Sequence, residues 1–596
     1  MKNIQKALSQ YWGYDSFLPL QQQAMQCLKD GIDSVVVLPT GGGKSLCFQA
    51  PAVTLPGLAL VVSPLISLMK DQVDALKECG VSAERIDSSL STEEYKSVLA
   101  KIHNKQLKLL YLSPERLISE NFLQILQKTD LSFIAIDEAH CVSMWGHDFR
   151  PEYRQLGQLK KLFPNITIAA YTATATDHVQ TDIAQQLNLK NPKILIGSFD
   201  RPNLIYKVQP RKNIIDQVCS VIERHKNESG IIYCIRRKDV DNMCDQLSAK
   251  GLKVAPYHAG MQDEARKKNQ DRFISEKVDI IVATVAFGMG IDKSNVRYVI
   301  HTGMPKSLEH YQQESGRAGR DGLEAHCCLF YSGADFGIWK SLTSEMPDEP
   351  RQIALAKLNH MYAFCTAATC RHKAILRYFG QDLTSENCNA CDMCLGELEY
   401  IDDALVTAQK ILSCVLRLEQ MFGAAYVASV LVGSKEKRIL ENNHDKLSTY
   451  ALLEDFSQNI VHNWIEQLTG QDCIEKVGEY NVLQITEKGR LVLKGKLTPR
   501  LLKPAIEKQP KTSKVTSQSW QGVDKSLFES LRKLRTQIAA EKGLPAYIVF
   551  GDATLRDMAR IKPTTPEEFL TVKGVGQKKL TQYAPQFLTI IINHSS

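Results

Sequence analysis

Between residues 31 and 200 the chain carries short, continuous apolar runs at 34–38, 58–62, 109–112, 133–136 and 166–171, separated by stretches with helical spacing. Runs without alternation suit strands buried on both faces, so this rhythm predicts a parallel sheet covered by helices. It restarts at 230–234, 254–257, 280–282, 296–301 and 328–331. Two such sheets in tandem make a cleft, and polar motifs at the strands' carboxyl ends should line it. Past about residue 345 the rhythm stops. Residues 350–380 read as helical, and 402–495 as helices followed by short strands at 473–477 and 482–486. The stretch 503–519 lacks apolar periodicity and reads as a linker. Leu527, Leu531, Leu534 and Ile538 then mark the apolar face of a returning helix.

The units expected are two α/β lobes at 1–207 and 208–342, a helical cysteine-bearing subdomain at 343–401, an α+β unit at 402–497, a basic linker at 498–520 and a helical domain at 521–596. At 596 residues, with 44% hydrophobic and 23% charged positions, the chain has the composition of a multidomain globular protein. No apolar stretch approaches a membrane span, and 1–14 lacks the pattern of a secretion signal, so a cytoplasmic protein is expected. The net charge of +7 does not by itself argue nucleic acid. From Lys488 to Lys514, however, nine basic residues face one acid, Glu507. Both a solvated linker and a strap along phosphates fit that run.

Candidate chemistry begins after the first run. Thr40, Gly41, Gly42 and Gly43 precede Lys44 and Ser45. Such a loop wraps phosphates with backbone N–H groups, while Lys44 reaches the β/γ oxygens and Ser45 ligates Mg²⁺. The strict pattern asks for a small residue where Leu38 stands. The run at 133–136 ends in Asp137-Glu138-Ala139-His140. Asp137 suits the metal, and Glu138 suits orienting and deprotonating an attacking water. Together these segments predict an ATP-splitting site. Thr172, Thr174 and Thr176, ending a neighbouring strand, form a candidate relay from His140 to a bound polymer.

In the second lobe, Gln313 opens a run ending at Arg320 that places Arg317 and Arg320 on one face if a helix starts here. Guanidinium groups facing the cleft would neutralise charge on a transferring phosphoryl group. Trp145, Phe149 and Tyr153 interleave with His147 and Arg150, giving stacking faces beside phosphate ligands. Ser63, Ser113 and Arg116 follow strands at points where helices begin, a geometry that offers N–H groups to a phosphate backbone. His258 and Thr284 are second-lobe candidates that fit local loop hydrogen bonds equally well.

Of sixteen cysteines, Cys234, Cys327 and Cys328 sit in apolar runs as small hydrophobes. Cys370, Cys388, Cys391 and Cys394 supply four thiolates within 25 residues, the spacing of a closed structural Zn²⁺ site, with an Fe–S cluster the chemical alternative. Cys365 reads as buried, and Arg371, His372 and Lys373 as candidate phosphate contacts.

The motifs Pro39–Ser45, Asp137–Tyr153, Val282–Asp292 and Gln313–Arg320 resemble those of the RecQ family of superfamily-two DNA helicases, and the likeness runs nearly the whole length. The resemblance implies two RecA-like lobes, a zinc subdomain, a winged-helix domain and an HRDC domain. It implies ATP-dependent 3′–5′ unwinding of DNA in recombination, replication-fork processing and repair, with ATP, Mg²⁺ and Zn²⁺ as cofactors. Tyr14 and Gln21 are then adenine contacts, Asp292 a further nucleotide contact, and 145–153 a loop that senses single-stranded DNA. Tyr547 and Lys573, the latter opening a glycine turn at 573–579 that equally fits a plain helix–helix turn, are then accessory DNA contacts. The resemblance also implies single-stranded and forked DNA, a single-stranded-DNA-binding protein and a topoisomerase as partners, a monomer, and nucleoid association. The chain departs from the usual Phe-Arg-Pro-x-Gln at Leu18 in Phe17-Leu18-Pro19-Leu20-Gln21. An RNA helicase, a duplex translocase that does not separate strands, and a scaffold with a vestigial ATP site are the rival readings.

Overall fold

The computed structural model describes residues 1–596 apart from 147, 289–292, 399, 479–480, 504–519 and 596. The first seven strands are β1 Ser34–Val37, β2 Leu58–Val62, β3 Ala83–Ile86, β4 Leu109–Leu112, β5 Leu131–Ile136, β6 Thr167–Thr172 and β7 Lys193–Ile196. All pair in parallel, in the order β3-β4-β2-β5-β6-β1-β7. Both faces of the central strands are buried. Val35 and Val37 pack into one core layer and Val36 into the layer on the opposite face, which is why these runs are apolar without alternation.

A second parallel sheet contains β8 Leu204–Pro210, β9 Ser229–Tyr233, β10 Val254–Tyr257, β11 Ile280–Ala283, β12 Val296–His301 and β13 Ala325–Tyr331, in the order β10-β11-β9-β12-β13-β8. The periodicity missed β3, β7 and β8. Strand β3 carries Glu84 and Arg85, and β7 exposes Ile194 and Ile196, the composition of strands near a sheet edge rather than its middle. Because β8 pairs with β13, a lobe boundary at 207 would cut a strand. The second sheet starts at Leu204.

The cysteine-bearing module meets β8 at Tyr206, which bridges to Cys391 and lies edge-on to His372 of the helix Arg371–Tyr378, while its helix Asp348–Thr366 packs against the helix Leu308–Ser315. Asp392 accepts the β8 amide of Val208 at 2.8 Å and pairs with Arg371 at 2.9 Å, both groups being buried. His372 holds Asp200 Oδ1 at 2.7 Å. Arg371 and His372 therefore face inward, Arg371 tying the module together through Asp392, Phe364 O and Ala367 O and His372 fastening it to the interlobe connector, which corrects the expectation that they meet phosphates. Cys365 is buried, as expected.

Beyond it, helices Ala404–Arg417, Ala424–Leu431 and Gln458–Gly470 surround Trp464 and meet the antiparallel pair β14 Ile474–Val477 and β15 Val482–Ile485. The C-terminal helices Lys525–Lys542, Asp552–Ile561 and Gln577–Ser595 close over Phe550, Phe569 and Phe587. This helical domain folds back onto both lobes. Lys578 Nζ donates to Lys77 O at 2.6 Å, and Arg532 Nη2 to Asn227 O at 2.8 Å. No helix among the described residues is long and apolar enough to cross a membrane.

Candidate active site and nucleic-acid interface

β1 delivers the chain into the loop Thr40–Gly43, and the helix Lys44–Thr54 leaves it. Gly41 and Gly43 have φ of 84° and 71°, a left-handed backbone that side chains disfavour. Lys44 Nζ donates to Leu38 O at 3.3 Å, and Ser45 Oγ accepts Gln72 Nε2 at 3.2 Å. Gln21 is buried beneath the loop. It accepts the Leu18 amide at 2.8 Å and donates to Gly43 O at 3.2 Å. Tyr14 and Leu18 are exposed nearby in sequence, and Leu18 Cδ1 lies 3.6 Å from where a Gly43 Cβ would stand.

Asp137 extends the β5 ladder, its amide donating to Val62 O at 2.8 Å. Glu138 follows with φ 48°, a strained conformation for a residue with a side chain. Its own amide is held by Asp137 Oδ1 at 3.0 Å. His140 is fully buried, with Nδ1 3.4 Å from Glu138 Oε2 and 3.0 Å from Thr172 Oγ1. Burial pushes its pKa down to about 3, helped by Lys44, Arg150 and Lys357, so the ring is neutral. Thr172 continues to Thr174 O at 3.3 Å. Hydrogen bonds therefore run from His140 through Thr172 to Thr174.

Across the cleft, the helix Leu308–Ser315 carries half-exposed Gln313 and ends before Gly316. Arg317 and Arg320 lie in the turn after this helix, not at a helix start as expected. Arg317 is buried, and burial lowers its pKa while Tyr233 and, across the cleft, Glu138 oppose the change. The lobes touch here, since a Cβ on Gly316 would stand 3.2 Å from Thr40 Cβ.

Cys370, Cys388, Cys391 and Cys394 bring their Sγ atoms within 4.8 Å of one another. The amides of Ala390 and Cys394 point at Cys388 Sγ and Cys391 Sγ, each at 3.4 Å. Four convergent sulfurs with amides aimed at them fit a tetrahedral thiolate site for Zn²⁺. Asp392, set between two of these cysteines, was missed from sequence, though its place inside the cluster is the signal that could have flagged it.

Comparison with known proteins follows the same division. Residues 18–183 match the DEAD/DEAH box helicase family, 213–322 the helicase conserved C-terminal domain, 333–395 the RecQ zinc-binding domain, 399–510 the RQC domain and 524–591 the HRDC domain. The chain is 44% identical to the ATP-dependent DNA helicase RecQ of Haemophilus influenzae over 99% of its own length and 96% of that protein's. Against the proteins of the same name in Pasteurella multocida and Bacillus subtilis it is 43% and 40% identical, covering 98% and 99% of this chain and 92% and 98% of theirs. The chain belongs to the RecQ family of ATP-dependent DNA helicases.

As a RecQ-family enzyme it uses ATP with Mg²⁺, and the cysteine cluster is its zinc site. The expected DNA contacts fare unevenly. Trp145 is half-buried, edge-on to His178 at 4.8 Å, and its carbonyl accepts Lys357 of the zinc module at 2.9 Å. Arg150 pairs with Asp148 at 3.2 Å and donates to Pro64 O at 3.3 Å, and Phe149 is half-buried. His147 and Asp292 lie outside the described residues.

Tyr153 is not a stacking face. It is fully buried, and its hydroxyl donates to Asp137 O at 3.2 Å, bracing the acidic turn. Ser63 is likewise buried. His258 and Thr284 are buried in local contacts, His258 with Asp241 at 3.0 Å and Thr284 with the Ala286 amide at 3.4 Å. Ser113 stands at the N-cap position of the helix Pro114–Leu117 without a side-chain capping bond, and the Arg116 guanidinium lies 4.6 Å over Tyr95. In the HRDC domain, Tyr547 is half-buried and Lys573 exposed. The adjoining glycine turn does not face solvent freely, because the Gly574 amide donates to Gly13 O of the first lobe at 3.3 Å.

Proposed function

We infer that this RecQ-family chain hydrolyses ATP between its two lobes and uses the opening and closing of that cleft to move 3′ to 5′ along single-stranded DNA and part a duplex. The observation that carries this reading is the meeting of phosphate loop and arginine turn at Thr40 and Gly316. Lys44 would bind the β/γ-phosphates, while Ser45 and Asp137 would hold Mg²⁺, which supplies charge neutralisation when bound. Glu138 would orient the attacking water and take its proton, with neutral His140 beside it. Arg317 and Arg320, positioned with Gln313, would stabilise charge on the transferring phosphoryl group. Gln21 would frame the adenine subsite together with exposed Tyr14.

Single-stranded DNA would run past Trp145, Phe149 and Arg150, and forked duplex would engage the winged-helix unit. By family, a single-stranded-DNA-binding protein and a topoisomerase are proposed partners of a monomer in the nucleoid-associated cytoplasm, with recombination, fork processing and repair as its settings. A steady-state ATPase assay with and without single-stranded DNA, followed by unwinding of a 3′-tailed DNA duplex and its RNA counterpart, tests the proposal. DNA should stimulate turnover and its duplex should open. Preference for the RNA substrate, or ATPase without strand separation, would reject the reading.

A further inference from the structure

The connector between the sheets, residues 197–203, carries a buried arginine outside every motif so far described. Arg201 is 9% exposed, and its hydrogen-bond acceptors among the described residues are neutral. Nη1 donates to the carbonyl of Thr40 and, at 3.5 Å, to that of Gly316. Nη2 donates to Gly319 O at 2.8 Å and Ala318 O at 3.2 Å, and Nε to Asn203 Oδ1 at 3.3 Å. Asn203 in turn donates to Gly319 O at 2.9 Å and Leu323 O at 2.8 Å. A guanidinium taken out of water needs every donor met. Here the carbonyl dipoles come from both lobes.

Those carbonyls are not arbitrary. Thr40 belongs to the phosphate loop, and Gly316, Ala318 and Gly319 are the backbone of the turn that bears Arg317 and Arg320. The base from which Arg201 projects is stiff. Gln381 holds both Gly197 O and the Phe199 amide at 2.9 Å, Phe199 stacks on Phe379 at 4.4 Å, and His372 meets Asp200 and Leu204 O. The guanidinium also lies close against the phosphate loop, since a Cβ on Gly41 would stand 3.1 Å from Arg201 Nη1. A shift of the phosphate loop therefore strips a buried cation of its Thr40 acceptor unless the guanidinium follows, drawing with it the arginine-turn carbonyls it holds.

We propose that Arg201 is a positioning residue that ties the arginine turn to the phosphate loop, so that Arg317 and Arg320 reach their working placement only while the loop is in its closed form. This rests on the ATP-site reading given above. The test compares Arg201→Gln and Arg201→Lys with the unsubstituted chain, and includes Arg317→Ala as a control. Readouts are the DNA-stimulated kcat, the KM for ATP and the melting temperature.

Arg201→Gln should lower kcat about 10- to 100-fold, the cost of a misplaced catalytic group, with KM within about threefold. Arg201→Lys, which keeps the charge but not the fork, should recover only part of that loss. Unchanged kcat in Arg201→Gln, full recovery by Lys, a change confined to KM, or loss of folding in both variants would each overturn the proposal. If Arg317→Ala falls while Arg201→Gln does not, this inference alone fails. If Arg317→Ala is also at full rate, the ATP-site reading fails with it.

Discussion

His140 Nδ1 lies 3.0 Å from Thr172 Oγ1, joining the turn after β5 to the end of the neighbouring strand β6. The contact sits beside Glu138 and continues toward Thr174, so it links the carboxylate proposed to activate water to the strand end proposed to feel a bound polymer. Thr172→Val keeps the shape and deletes the hydroxyl. It should lower DNA-stimulated ATPase roughly tenfold, less than the ~10²–10⁴-fold contributed by groups that transfer the proton themselves, while unstimulated ATPase changes little. Equal loss in both conditions would remove the relay.

The same histidine gives a pH dependence. Its pKa falls from the ordinary 6.5 to about 3 on folding, so the unfolded chain binds the extra proton as pH drops below about 6.5. Stability from this group is complete above that value and lost progressively below it, by up to about 1.4 kcal/mol per pH unit. Melting temperatures at pH 7.5 and 5.5 should therefore diverge less for His140→Asn than for the unsubstituted chain. An identical acid shift in both would contradict a buried neutral ring.

Glu138→Gln preserves size and backbone but removes the base. Binding of a fluorescent ATP analogue should stay within about threefold, and kcat should fall on the order of 10²- to 10⁴-fold. Weakened binding with normal turnover would reassign Glu138 to nucleotide retention.

Much of this was legible because central strands of a covered parallel sheet are apolar end to end, and because the phosphate loop and acidic turn are contiguous in sequence. Edge-type strands hid. Glu84 in β3 reaches Lys77 and Lys101 at 2.8 and 2.7 Å, charges that mask a strand. Contacts remote in sequence hid as well. Nothing local in Trp145–Tyr153 says that Tyr153 turns inward onto Asp137. Nothing beside Cys370 says that Arg371 meets Asp392 in the core. The glycine turn at 573–579 looked like a DNA contact, yet its fit to Gly13 emerges only once the HRDC domain is folded back.

Zinc should matter beyond its own module. Asp392 and His372 fasten the cysteine-bearing segment to β8 and to the connector, so Cys391→Ser or chelation should both expose 343–401 to protease and depress ATPase. Proteolysis of that segment with ATPase intact would show that the module does not support the cleft.

Trp145 reports on the aromatic loop. Trp145→Ala should cut the stimulation of ATPase by single-stranded DNA several-fold while DNA affinity, carried mainly by phosphate contacts, changes less than about threefold. Full stimulation would exclude the loop as a sensor.

The most direct test of a cleft that catalyses by closing is the steady-state ATPase of Arg317→Ala in saturating single-stranded DNA, read beside its affinity for an ATP analogue. Nucleotide binding should persist within a few-fold while kcat falls on the order of 10³-fold, the scale of an arginine acting on the transferring phosphate. A kcat equal to that of the unsubstituted chain would contradict the account.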